Sequence, residues 1–158
     1  MSEPFVFDPR HTLCKTPYGA VVAGTKVTLH VRPLVRERFT GCTLMLLEEF
    51  SGQRTEYPLT LGAAESDRIR FDLEFTVPSQ AELLWYHFQL TKADGSVIIL
   101  DRQGYHTDGY AREAWQITVY EKSHTPQWFG SGIAYQIFPD RFCRTSIPDP
   151  TGLVGERQ

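Results

Sequence analysis

In Leu84-Trp85-Tyr86-His87-Phe88-Gln89-Leu90, apolar residues alternate with a second set, Trp85, His87 and Gln89. A strand sends successive side chains to opposite sides, so Leu84, Tyr86, Phe88 and Leu90 belong to a core and the second set points away from it. A broad ring beside an imidazole and an amide can hold a pyranose ring, which offers an apolar face and a rim of hydroxyls. The same face suits a contact with a neighbouring domain, and a large exposed aromatic favours that use. Tyr105, His106 and Tyr110 lie in a Gly-containing stretch, residues 103–111. Loops carry binding more often than strands do, and a disordered connector explains this stretch equally well. Trp115 falls in register with Ile117 and Val119 and reads as core.

Other chemistries find little support. His11, His30 and His124 stand apart in sequence from Cys, Asp or Glu clusters, so no metal and no cofactor is expected. Cys14, Cys42 and Cys143 are odd in number and lack zinc-type spacing, and they read as small buried hydrophobes in a reducing compartment. A net charge of −3 without a basic block argues against nucleic acid or an acidic membrane surface as partner. The start, Met-Ser-Glu-Pro-Phe, lacks the basic region and apolar core of a secretory signal. The chain is therefore expected to be cytoplasmic, with prior removal of a signal as the other possibility.

The elements that must position these residues are short strands. Lys26 to Arg32, Ile69 to Phe75 and Trp115 to Tyr120 alternate with a period of two, which rests one face on a core and leaves the other in water. Residues 43–49, 54–61 and 97–100 are weaker candidates, and Pro58 demotes the second of them towards a sheet edge. Ala93-Asp94-Gly95-Ser96 links the strand at 84–91 to that at 97–100, with Asp-Gly supplying the positive φ that a tight hairpin needs. Burial is predicted for Val27, Leu29, Val31, Ile69, Phe71, Leu73, Phe75, Tyr86 and Phe88. Seven or eight strands joined by turns, with no long amphipathic helix, predict an all-β, immunoglobulin-like antiparallel sandwich over residues 1–121. Residues 122–131 read as a polar, Pro-containing linker. The run from Gly132 to Pro139 is mostly apolar without clean alternation, as in a parallel strand buried on both faces.

The segment Trp128-Phe129-Gly130-Ser131-Gly132-Ile133-Ala134-Tyr135-Gln136-Ile137-Phe138-Pro139-Asp140-Arg141-Phe142 resembles the start of the catalytic barrel in glycoside hydrolase family 13, the α-amylase family. There the words Tyr-Gln-Ile-Phe-Pro-Asp-Arg-Phe form the first barrel strand and the loop after it. Trp128, Tyr135, Gln136, Pro139, Asp140, Arg141 and Phe142 carry the likeness. Upstream, Lys15-Thr16-Pro17-Tyr18-Gly19-Ala20-Val21, Leu84 to Phe88 and Trp115 to Tyr120 resemble the sandwich that precedes the barrel in neopullulanase-like and pullulanase-like members. Whether the module is of the neopullulanase or the isoamylase type stays open.

The resemblance implies a parent enzyme that acts with retention on α-glucans such as starch, pullulan and maltooligosaccharides. That chemistry needs two carboxyl groups about 5 Å apart across the scissile bond, at the ends of later barrel strands. Residues 132–158 reach only the first strand, so no catalytic residue is expected here and the chain alone should be inactive. Asp140 reads as structural, pairing with Arg141 or Arg144. The sandwich is expected to bind an α-glucan, to pack against its own barrel, or to mediate a homodimer, as in neopullulanase-like relatives. A purely structural or protein-interaction module without sugar affinity is the alternative. A free-standing adhesion domain is disfavoured by the barrel strand at its end.

Overall fold

The computed structural model describes residues 5–63, 66–122, 126, 128, 131–133 and 135–136. The chain divides into two units, residues 1–122 and 123–158. In the first, two sheets face each other across one core, and no α-helix occurs among its described residues. One sheet has four strands in the order β1 (Lys15–Thr16), β3 (Lys26–Val31), β7 (Phe71–Thr76), β6 (Thr60–Leu61). The other has seven. They are β4 (Phe39–Glu48), β5 (Arg54–Pro58), β8 (Glu82–Lys92), β9 (Val97–Asp101), β10 (Gly104–His106), β11 (Trp115–Tyr120) and β2 (Val21–Val22).

Alternation builds both inner faces. Val27, Leu29 and Val31 of β3 face Leu84, Tyr86, Phe88 and Leu90 of β8, and all are buried. Burying one such side chain is worth about 1.5–3 kcal/mol, so this double row is the main source of stability. Phe7 closes one end of the core, edge-on to Phe88 and to Trp115 at 4.8 Å each. The hairpin at Asp94-Gly95 forms as expected. Gly95 has φ +83° and its N–H donates to the Lys92 carbonyl, while Asp94 Oδ1 accepts from the backbone and hydroxyl of Ser96.

Several expectations need correction. The sandwich is not wholly antiparallel, because β2 pairs parallel with β11, Val21 beside Val119. The segment after the β1 loop thus adds to the sheet edge alongside the last strand, in the same direction. Residues 54–61 are not one strand. β5 pairs only with β4, as an edge, and the chain then crosses to the other sheet as β6. Leu59 is buried at the crossing, where its N–H donates to the Cys42 carbonyl.

Leu73 and Ile69 are half-buried rather than buried. β6 covers only Phe71 and Asp72, so β7 is an open edge at Leu73. Ile69 lies before the strand begins. Phe75 stays buried on the same edge because the Tyr57 ring lies over it at 5.4 Å. Nor is His30 isolated: Asp72, its cross-strand partner on β7, meets its Nδ1 at 2.5 Å and also binds Arg70. Cys14 and Cys42 are both buried, and Cys42 is a free thiol.

Candidate functional site

Trp85, His87 and Gln89 lie on the outward face of β8, each half-buried. The register explains what surrounds them. β4 runs along one side of β8, and β11 and β9 share the other in succession. β11 pairs with β8 from Glu82 to Tyr86, and β9 pairs with it from Phe88 to Thr91. At His87 neither does. The chain leaves the side of β8 at Asp101, the end of β9, and returns to it at Trp115, so residues 102–114, with β10 among them, form an excursion between the two.

Asp101 holds the neck of that excursion. Its side chain is 1% exposed. Oδ2 accepts the N–H groups of Arg112 (2.6 Å) and Glu113 (3.0 Å), and Oδ1 accepts Gln103 N–H (2.8 Å) and bonds His106 Nε2 (2.9 Å). Arg102 N–H donates to the Glu113 carbonyl across the neck. Burial pushes the carboxyl up. The Glu113 and Arg112 N–H groups, the His106 ring and Gln103 N–H more than offset it and hold the group down at about 2. The unfolded carboxyl titrates near 3.8, so the folded form binds its proton less readily. Stability from this group is therefore complete above about pH 4 and is lost as pH falls towards 2, a loss of about 2 kcal/mol. We expect the thermal transition of an Asp101→Asn variant to lose that part of its acid dependence, measured from pH 5 down to 2. An unchanged slope would contradict the assignment.

Of the stretch read as a loop, residues 107–111 carry no regular secondary structure, while its start is a strand. Gly104–His106 forms β10 against β9, and His106 is buried. Beside the neck opens a cleft of about 760 Å³, within the range of about 300–1,000 Å³ usual for ligand sites. Trp85, Tyr105, Arg102, Gln103 and Gln116 line it, and residues 5–10 form the facing wall. Gln116 is the cross-strand partner of Trp85. Tyr105 is fixed by its hydroxyl, which donates to Glu37 Oε2 (3.2 Å), and by its ring, 5.8 Å from Phe39. Burial and the adjoining Glu37 carboxylate push its phenol above the ordinary range.

Of the sequence candidates, Trp85 and Tyr105 come together here and the others do not. His87 and Gln89 lie further along β8, outside the cleft lining. Burial lowers the His87 pKa, with Asp101 opposing. Tyr110 is 75% exposed at the tip of the excursion, where Asp108 accepts its N–H and pairs with Arg112. Trp128, Tyr135 and Gln136 are exposed in the second unit, and the Ser131 hydroxyl donates to the Trp128 carbonyl. Pro139, Asp140, Arg141 and Phe142 lie outside the described residues.

Sequence reasoning missed Asp101, Arg102, Gln103, Gln116 and the wall of residues 5–10. The only signal for the first three was turn composition, Asp101-Arg102-Gln103-Gly104, directly after a strand.

No family model matches the chain. An amylopullulanase of Thermoanaerobacterium saccharolyticum is 27% identical over 146 residues, covering 85% of this chain and 11% of that protein. Neopullulanase 2 of Thermoactinomyces vulgaris is 25% identical over 144 residues, covering 87% of this chain and 24% of that one. Among solved structures, a cyclomaltodextrinase shares the fold with a TM-score of 0.57 at 20% identity, over 84% of this chain and 22% of its own. The chain is similar to the amylopullulanase and the neopullulanase over most of its own length and spans a quarter or less of theirs.

Proposed function

We propose that this chain is the accessory, immunoglobulin-like sandwich domain of an α-amylase-family glycoside hydrolase, and that it holds α-glucan chains for that enzyme in the cleft at Trp85. The cleft carries the reading. Two aromatic side chains, Trp85 and the Glu37-bound Tyr105, stand with the amides of Gln103 and Gln116 around a space large enough for a saccharide. Aromatic faces can stack on pyranose rings while amides and guanidinium groups read the hydroxyls. The homologues' names, amylopullulanase and neopullulanase, supply the substrate class.

On this reading residues 132–158 begin the catalytic barrel, and the exposed Ile133 and Tyr135 are covered by further barrel strands in the parent enzyme. The buried free thiol of Cys42 suits a reducing, cytoplasmic setting. Among the described residues no helix is long and apolar enough to cross a membrane. Packing on the barrel or dimerisation without sugar affinity is the second reading. It is favoured by the exposed apolar side chains Phe50 and Leu61, which lie outside the cleft lining. Calorimetric titration with maltoheptaose separates the two. Saturable heat that is absent with cellohexaose supports glucan binding, and no heat up to millimolar sugar overturns it in favour of the interaction module.

A further inference from the structure

We infer that the Trp85 cleft is one end of a longer groove that takes a linear oligosaccharide across two ring-stacking positions, Trp85 at one and Tyr18 at the other. This rests on the glucan reading above and extends it. A second hollow of about 190 Å³ is lined by Lys15, Tyr18, Gly19, Ala20 and Thr118. Pro9, Arg10 and Gln116 line both it and the cleft, so the two adjoin through common walls. Gln116 and Thr118 are alternate residues on the outward face of β11, about 7 Å apart along the strand. The space therefore continues in the strand direction, past Trp85 and towards the loop that carries Tyr18.

That loop is built for rigidity. Tyr18 is 66% exposed, yet Lys15, three residues before it, is 2% exposed. Lys15 Nζ donates to the carbonyls of Pro17 (2.6 Å) and Gly19 (2.9 Å), on either side of Tyr18. Burying an ammonium costs solvation, and here the two carbonyls compensate it. Gly19, at φ +70°, makes the turn that brings its carbonyl back to the cation. The result is an exposed aromatic ring on an immobilised backbone, so little conformational entropy is lost when a ligand covers it. Across the shared wall, Asp8 Oδ1 accepts Arg10 N–H (2.9 Å) and fixes the backbone from which the Arg10 guanidinium projects. Arg10, Gln116 and Thr118 thus supply donors and acceptors between the two rings. Paired rings with polar groups between them match a chain of sugars better than a single one.

The test is calorimetric titration of the 158-residue chain and its Tyr18→Ala and Tyr18→Phe variants with maltotriose and maltoheptaose. The expected result is that maltoheptaose binds at least tenfold more tightly than maltotriose to the wild type. Tyr18→Ala should remove that advantage, about tenfold, while leaving maltotriose affinity unchanged, and Tyr18→Phe should keep it. Equal wild-type affinity for the two sugars overturns the inference, and so does a Tyr18→Ala variant that weakens both alike or neither; in these cases the cleft itself still binds glucan. Binding of neither sugar by the wild type overturns the glucan reading and this extension together.

Discussion

Asp101→Ala is expected to lower the free energy of unfolding by about 3–5 kcal/mol. The side chain is buried, and its hydrogen bonds to Gln103, His106, Arg112 and Glu113 all lie within the excursion or its neck. Alanine leaves three backbone N–H groups and the His106 ring without the acceptor they now share. Each unsatisfied buried donor costs about 1–3 kcal/mol unless water reaches it. Water entry would mean opening the neck, so part of the cost should appear as loss of hydrogen-exchange protection across residues 102–114. Urea denaturation measures the total. A loss below about 1 kcal/mol, with protection unchanged, would show that the excursion is held by something other than Asp101.

Trp85→Ala is expected to weaken maltoheptaose binding by about a hundredfold, close to the limit of detection. Stacking rings at the centre of a site carry a disproportionate share of binding energy, and losses of 2 kcal/mol or more are usual for such anchors. The fold should survive, because Trp85 is half-buried on the outward face and the core on the other side of β8 is untouched. Gln89→Ala offers the internal comparison. Gln89 shares the outward face of β8 but lies outside the cleft lining, so its loss should change affinity less than twofold. Equal effects of the two substitutions would place the sugar along the whole strand rather than in the cleft.

The alternation of β8 made Leu84, Tyr86, Phe88 and Leu90 legible as core, because a single strand's pattern reports which face is dry. The same pattern put Trp85 outside. It could not show that β9 and β11 occupy one side of β8 in turn, since that depends on registers between segments far apart in the chain. The excursion between them, and hence the cleft, followed from pairing rather than from composition.

Buried charge was equally hidden. Asp101, Lys15 and Glu82 are charged residue types, yet each is buried and satisfies backbone groups. Glu82 accepts the N–H groups of Phe50 and Leu83, which ties the β4–β5 turn to the start of β8. Polar residues that serve distant backbone leave no periodic trace. The resemblance to family 13, by contrast, rests on eight consecutive residues from Tyr135 to Phe142, of which Tyr135 and Gln136 lie among the described residues.

The most direct measurement of the central claim is an amide and indole chemical-shift map of the 15N-labelled chain during titration with maltoheptaose. The account predicts saturable shifts at the Trp85 indole, at the amides of Arg102 to Tyr105 and Gln116, and at residues 5–10. Shifts confined to the four-stranded sheet, or none at all while the protein remains folded, would contradict it.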